Sequence, residues 1–278
     1  MTTHTGRHLA VPGFAQWPER TSPREAGKAL RDRVPRRSHA RFVLRPDRPD
    51  AVQAVEDSGR GRLPELTPLR VGRMAANPFA FLRGSAGLMA ADLVGTPVTG
   101  VSAQICGDAH AANFGLYGDA RRRLVIDIND FDETVVGPWE WDLKRLAVSL
   151  VLAGRAGGVP EDVCRAAAFD AAGAYRGTMR LLAKMSALDA WNAIADEELA
   201  SHADAHDLLG TLTKVAAKAR KNTSAKFAAR NTEVLPDGTR RFTDAPPVLR
   251  RVPDKEAEAV AASLAEYRET VSPDLLPL

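Results

Sequence analysis

Asp108 and Asn113 are separated by four residues in the run 106–113, CGDAHAAN. An acid followed at that interval by an amide can do phosphoryl-transfer chemistry. The acid orients and deprotonates a substrate hydroxyl, and the amide oxygen helps hold magnesium on the donor phosphates. A third group is needed, a carboxylate that bridges the metal to the nucleotide, and the run 124–133, LVIDINDFDE, offers four: Asp127, Asp130, Asp132 and Glu133. Its place at the end of an apolar strand favours Asp127, with Asp130 as the other candidate. His110 sits two residues beyond Asp108, where it can bind metal, shuttle a proton or simply pack against a strand.

Two other chemistries use the same acids. Counting Asp127 as the first position of a calcium loop puts Phe131 fifth, Asp132 sixth where glycine is required, and Pro138 twelfth where a bidentate Glu is required, so the register excludes calcium by this motif. Clustered carboxylates also suit a two-metal phosphoesterase or nuclease that activates water. Asn113 at the kinase interval favours phosphotransfer.

The elements that position these residues are short. Residues 101–106 (VSAQIC) and 124–128 (LVIDI) read as strands flanking the loop that bears Asp108, His110 and Asn113. Gly137-Pro138 breaks the chain, and a helix starts near Trp139 with Leu143, Leu146, Ala147, Leu150 and Val151 on one face, placing Asp142 in its first turn. Upstream, helices are expected over 23–33, 50–58 and 67–76, then one buried helix from Pro78 to Val94, capped by Asn77 and built on Phe79, Phe81, Leu82, Leu88, Met89 and Leu93. Arg70, Arg73 and Arg83 punctuate this apolar stretch. Each must reach water or find an anion, either a motif acid or a ligand phosphate, and Arg83 followed by Arg73 are the candidates for substrate or phosphate. Downstream, helices are expected over 161–185, 188–199, 207–221 and 254–270, with a hairpin around Pro236-Asp237-Gly238.

The runs GDAHAANFG, DINDFDET and GPWEWDLKRLA, with RVGRMAANPFAFLRG upstream, resemble the bacterial family catalogued as domain of unknown function 2252. More distantly they are similar to aminoglycoside and choline phosphotransferases of the protein-kinase-like superfamily. That resemblance implies an α+β, predominantly helical fold like the catalytic lobe of a kinase, with a small β-hairpin or sheet carrying the loop. It implies Asp108 as the catalytic acid, Asn113 and Asp127 as magnesium ligands, and Asp142 as the acid that braces the loop. ATP would be the phosphoryl donor, and a hydroxyl on a small molecule or protein the acceptor. Cys106 departs from the distant relatives, which carry His there. Family members continue into a glycine-rich strand pair and a lysine strand, and this sequence has neither a G-x-G-x-x-G nor a G-x-x-x-x-G-K-[ST] run. The expectation is therefore a basic, Arg/Pro-rich arm over 1–49 and a kinase-like catalytic-lobe domain over 50–278 that lacks its nucleotide-binding lobe. Such a chain is either inactive alone or completed by a second chain. The competing class is a non-catalytic scaffold, in which the acidic loop only orders Arg70, Arg73 and Arg83.

Composition sets wide bounds. Of 278 residues, 45% are hydrophobic and 26% charged, enough for a globular core. The 38 Lys and Arg against 35 Asp and Glu leave a net +3, too little to argue for nucleic acid. Arg33, Arg36, Arg37 and Arg41 in the arm form either a solvated basic face or a phosphate contact. Cys106 and Cys164 lack metal-ligand spacing and read as reduced thiols. The polar start and the lack of an apolar run near 18 residues predict a cytoplasmic protein without a membrane span.

Overall fold

The computed structural model describes residues 23–119, 124–191, 223–246 and 249–273, with positions 193, 217, 218, 220 and 221 between them. The architecture is α+β, mostly helical, with small antiparallel ribbons. The chain divides into two compact units, Met1–Ala216 and Ala217–Leu278.

In the first unit, α1 (Pro23–Arg33) precedes α2 (Ala51–Asp57). Asp50 opens α2, its Oδ1 accepting from the amides of Val52 and Gln53 at 2.9 and 3.0 Å. Next come α3 (Thr67–Met74), α4 (Pro78–Gly84) and α5 (Ala86–Leu93). Asn77 caps α4 by accepting from the Ala80 amide at 2.9 Å. The single helix expected over 78–94 is thus two. The backbone turns at Ser85 (φ −127°, ψ 43°), whose hydroxyl donates to the Phe81 carbonyl at 2.7 Å, a local bond that competes with helix continuation.

Four strands follow: β1 (Ser102–Ile105), β2 (Phe114–Gly118), β3 (Leu124–Ile128) and β4 (Val135–Pro138). The two strands legible in the sequence, β1 and β3, do not pair. β1 lies antiparallel to β4, with Ser102 opposite Pro138, and β2 to β3, with Phe114 opposite Ile128. β2 and β4 escape sequence reading because Gly115, Gly118 and the Gly137-Pro138 pair look like breaks. Pro138 is tolerated because it closes the strand.

α6 (Glu140–Ala156) then packs along α7 (Glu161–Leu182), and α8 (Ala187–Trp191) follows. The α6–α7 approach requires glycine at position 154, where a Cβ would meet Cys164 Sγ at 2.5 Å. Trp139 stacks on Tyr175 with ring centroids 5.3 Å apart, fixing the start of α6. The core gathers Met74, Leu82, Leu88, Leu93, Ile105 and Val125, with both cysteines buried and free.

The second unit holds α9 (Ser224–Asn231), β5 (Thr232–Val234), β6 (Arg240–Phe242) and α10 (Asp254–Thr270). The β5–β6 turn is held by Asp237 Oδ1, which accepts from the Thr239 amide at 2.9 Å. Of the helix expected over 207–221, positions 217, 218 and 220 are helical; residues 207–216 and the far part of 188–199 lie outside the described residues. No helix among the described residues is long and apolar enough to cross a membrane.

Candidate active site

The loop between β1 and β2 is fixed at three points from α6. Asp142 Oδ2 accepts from the Cys106 amide at 2.7 Å and Oδ1 from the Gly107 amide at 3.0 Å, so one carboxylate clamps the turn that presents Asp108. Hydrogen bonds to a charged acceptor are worth about 1.5–3 kcal/mol each, which makes this clamp strong for a loop. Ser149, fully buried, accepts from the Ala111 amide at 2.8 Å. Arg145 supplies the third contact, to Asp108 itself. Gly107 sits at φ +78°, and a Cβ there would come within 2.3 Å of the Glu133 carbonyl oxygen, so no other residue fits the turn without displacing the acidic segment.

Asp108 is an acid in a nearly dry setting. Its Oδ1 accepts from Arg145 Nε at 2.6 Å, and Arg145 Nη2 also contacts that oxygen. The same guanidinium donates from Nη2 to the Leu82 carbonyl at 2.7 Å and reaches Met89 Sδ from Nη1 at 3.4 Å, so Arg145 ties α4 and α5 to the loop. Asp108 Oδ2 lies 3.5 Å from His110 Nε2. Burial pushes the Asp108 carboxyl up from its ordinary range, and the charge of Arg145, with that of His110 when it is protonated, pulls it partly back. Burial lowers the His110 pKa, the charges of Arg145 and Arg83 lower it further, and Asp108 opposes them, so His110 is a neutral imidazole at pH 7. Its ring stands edge-on to Phe79, and its buried Nδ1 has no partner among the described residues.

Asn113 is buried and faces the acids. Its Nδ2 donates to the carbonyl of Asp130 at 2.8 Å and to that of Asp108 at 3.2 Å, linking the loop to the segment after β3. Cys106 Sγ reaches the same Asp130 carbonyl at 3.4 Å, and burial raises its pKa, so it is a thiol rather than a thiolate. The negative charge of Asp130 acts on both Asp108 and Glu133. The hydrogen bond to Asp132, then burial, then repulsion from Asp132, Asp108 and Asp130 push Glu133 up to about 7, and the same hydrogen bond draws Asp132 down. Asp127 is placed differently. It stands exposed on β3 opposite Gly115, and its Oδ1 accepts from the next amide, Ile128, at 2.8 Å. Asp108, Asn113, Asp130 and Asp142 are therefore brought together, with Asp127 set back along the hairpin.

The three arginines separate. Arg70 Nη2 donates to the Gly84 carbonyl at 2.9 Å, and its pKa is lowered by burial first and then by Arg62. Arg73 is exposed on α3. Arg83 is exposed on α4, makes no hydrogen bond or ion pair among the described residues, and lies close enough for its charge to act on His110. The arginine that orders the acidic loop is Arg145.

Residues 62–278 match the family model described as an uncharacterized protein conserved in bacteria (DUF2252). The chain belongs to this family. No curated protein and no solved structure matches it. The DUF2252 match spans every residue of the loop, its α6 braces and Arg83, so the whole site lies within the part shared with the family.

Two positions escaped sequence reasoning, Arg145 and Ser149. Their signal was present: counted from Asp142 they fall at i+3 and i+7, one face of a helix, inside a run otherwise legible as an apolar stripe. The buried positions of α6 are in fact polar, Glu140, Arg145 and Ser149. Glu140 does not join the loop. Its Oε1 accepts from the Thr99 amide and hydroxyl at 2.7 and 2.6 Å, anchoring the chain ahead of β1.

Proposed function

We propose that this site is that of an ATP- and magnesium-dependent phosphotransferase acting on a hydroxyl. The observation that carries the reading is the pairing of Asp142 with the Cys106 and Gly107 amides, which holds Asp108 and Asn113 on one rigid turn facing Asp130. A loop clamped to a helix acid is what presenting a base and a metal ligand at fixed separation requires.

The donor set suits magnesium. Asn113 spends its Nδ2 on two carbonyls, which leaves Oδ1 as its side-chain acceptor, and Asp130 adds an exposed carboxylate. The acids crowd one another: Glu133 is pushed up to about 7 by its hydrogen bond to Asp132, by burial and by repulsion from Asp132, Asp108 and Asp130. Among the described residues no group of three His, Cys, Asp or Glu side chains could hold a metal ion, so the proposed magnesium would rest on one or two protein oxygens plus the donor phosphates. Magnesium when bound would neutralise charge on the donor phosphates. Asp130 is the preferred carboxylate ligand, ahead of Asp127.

The chain's own groups then divide the work. Arg145 occupies Asp108 Oδ1 and leaves Oδ2 to take the proton of the acceptor hydroxyl. The acceptor oxygen bonds to the γ-phosphorus as the bond to the β-phosphate oxygen breaks, releasing nucleoside diphosphate. His110, neutral, keeps a second positive charge away from Asp108. Arg83 offers its unpaired guanidinium to a phosphate. The test is equilibrium binding of a fluorescent ATP analogue with and without magnesium. Asp130→Asn and Arg83→Ala are expected to weaken binding at least tenfold, and Asp127→Asn to leave it nearly unchanged. Equal binding by all three variants would refute the assignment. A non-catalytic scaffold is the second reading, favoured by the Arg145 bridge to Leu82, Met89 and Asp108, which would hold α4, α5 and the loop together without any chemistry.

A further inference from the structure

Between Arg33 and Arg48 the chain crosses the surface as a loop pinned at both feet. Arg33 Nη2 donates to the Thr99 carbonyl at 3.0 Å. At the other foot Arg48 is bidentate on Asp92 in the last turn of α5, Nε to Oδ1 at 2.5 Å and Nη2 to Oδ2 at 3.0 Å. A 3-10 turn, Arg36–Ala40, leads out from the first foot, with the Ser38 hydroxyl donating to the Pro35 carbonyl at 2.7 Å. The pinned loop then presents Phe42, Val43 and Leu44, each more than half exposed. A single exposed apolar residue is ordinary, but three in succession on an anchored loop mark a contact surface. Val94, also exposed, lines a shallow hollow with Arg45 at the base of this tip.

The charges around the tip are one-sided. Between Val34 and Asp50 the acids are Asp47 and Asp50. Asp47 accepts from Arg45 Nε at 2.9 Å, Asp50 from the amides that open α2, and Asp92 from Arg48. Each of these acids is therefore spent. Arg36, Arg37 and Arg41 are exposed, and their guanidinium groups make no hydrogen bond or ion pair among the described residues. Three arginines thus stand in surplus beside an apolar run, which complements an anionic surface with an apolar layer beneath it. A polypeptide partner fits less well. Arg41 leads into the run in extended backbone (φ −76°, ψ 120°), where successive side chains alternate sides, so one flat protein face would leave part of the run uncovered while lipid closes around all of it.

We propose that this tip docks the protein on an anionic lipid bilayer, with Phe42, Val43 and Leu44 entering the headgroup region and Arg36, Arg37 and Arg41 lying along its phosphates. The occupant is the bilayer surface and not a soluble phosphate, because a free ion offers nothing to the three apolar side chains. The docking uses none of the groups assigned to phosphotransfer and stands or falls apart from that reading.

The experiment is co-sedimentation of the full chain with sucrose-loaded vesicles, one set of phosphatidylcholine alone and one of equal parts phosphatidylcholine and phosphatidylglycerol. The chain is expected to sediment with the anionic set and to remain in solution beside the neutral one, and raising the salt should release it. Arg36→Gln, Arg37→Gln and Arg41→Gln combined should weaken partitioning on the order of a hundredfold, since each arginine near such a surface is worth about 1 kcal/mol. Phe42→Ser with Leu44→Ser should weaken it by about tenfold or more. All five positions are exposed, and circular dichroism should show both variants folded. A polarity-sensitive fluorophore on Val43→Cys, both native cysteines being buried, should brighten with anionic vesicles only. Equal sedimentation with the two sets, none with the anionic set, or unchanged partitioning in either folded variant would overturn the proposal. So would a fluorophore that stays dark on vesicles while soluble polyglutamate binds the chain, which would point to an acidic polypeptide instead.

Discussion

Substituting Arg145 by Met isolates the contact on which the loop depends. The Arg145 and Asp108 side chains retain only 3% and 13% of their surface, so the pair sits where an unpartnered charge is expensive. Met keeps most of the volume but strands Asp108 and leaves the Leu82 carbonyl without its donor. Removing one partner of a buried pair costs about 3–5 kcal/mol, and Asp108→Asn, which strands the arginine instead, should cost a similar amount. The double variant removes both charges at once. If the pair is what matters, its loss should fall short of the sum of the singles by about 2 kcal/mol or more. Urea denaturation followed by circular dichroism measures all three. The penalty of Arg145→Met should also depend on pH. Burial already raises the Asp108 pKa, and losing Arg145 removes a charge that opposes the rise. A group whose folded pKa exceeds its unfolded one is stabilising in acid and loses that contribution as pH rises, so the penalty should be largest near pH 7 and shrink toward pH 4. Additivity of the singles within about 0.5 kcal/mol, or a penalty that does not change with pH, would refute the reasoning.

Other outcomes follow from the same geometry. Gly107→Ala combines φ +78° with a 2.3 Å approach to the Glu133 carbonyl and should cost about 3 kcal/mol or more. Gly238→Ala, at φ +83° with nothing within 4 Å, should cost about 1 kcal/mol, both read by urea denaturation. Asp142→Ala removes the acceptor of two amides, and hydrogen exchange at Cys106 and Gly107 should accelerate more than elsewhere in the chain. Glu133, pushed up to about 7, contributes stability below pH 4.5 that is lost as pH rises toward 7. Because it is exposed, the effect should be only about 1 kcal/mol after solvent screening, and Glu133→Gln should flatten that stretch of the stability profile.

Much of the helical frame was legible in the sequence, and the reasons are local. Asn77 is a cap residue that announces a helix start, and the cap is made; the helix read from Asp50 is capped by that residue. The hairpin turn at Asp237-Gly238 is likewise a local signal. What the sequence hid is non-local. Glycines in β2 and β4 resemble breaks because their pairing partners are set by tertiary contacts. Ser85 splits a helix that periodicity joins, through a hydroxyl bond that hydrophobic patterning does not encode. In the site, the interval from Asp108 to Asn113 marked the loop, but which acid accompanies it depends on how far β3 runs. Spacing favours Asp127, which stands on β3 opposite Gly115, and Asp130, the other candidate, follows beyond the end of that strand at Ile128. Arg145 was overlooked because a basic residue in an amphipathic helix ordinarily faces water, and only the buried carboxylate opposite explains why it does not.

The measurement that bears most directly on the phosphotransfer reading is thermal melting of the chain with ATP and magnesium against ATP with chelator, in the wild type, Asp130→Asn and Asp127→Asn. A ligand held only by the folded state adds RT ln(1 + [L]/Kd), about 2.7 kcal/mol at a hundredfold excess, or roughly 5 °C or more in a domain of this size. The account predicts a magnesium-dependent rise in the wild type and in Asp127→Asn that is absent in Asp130→Asn. No rise at millimolar ATP, or a rise that survives both the chelator and Asp130→Asn, would contradict it.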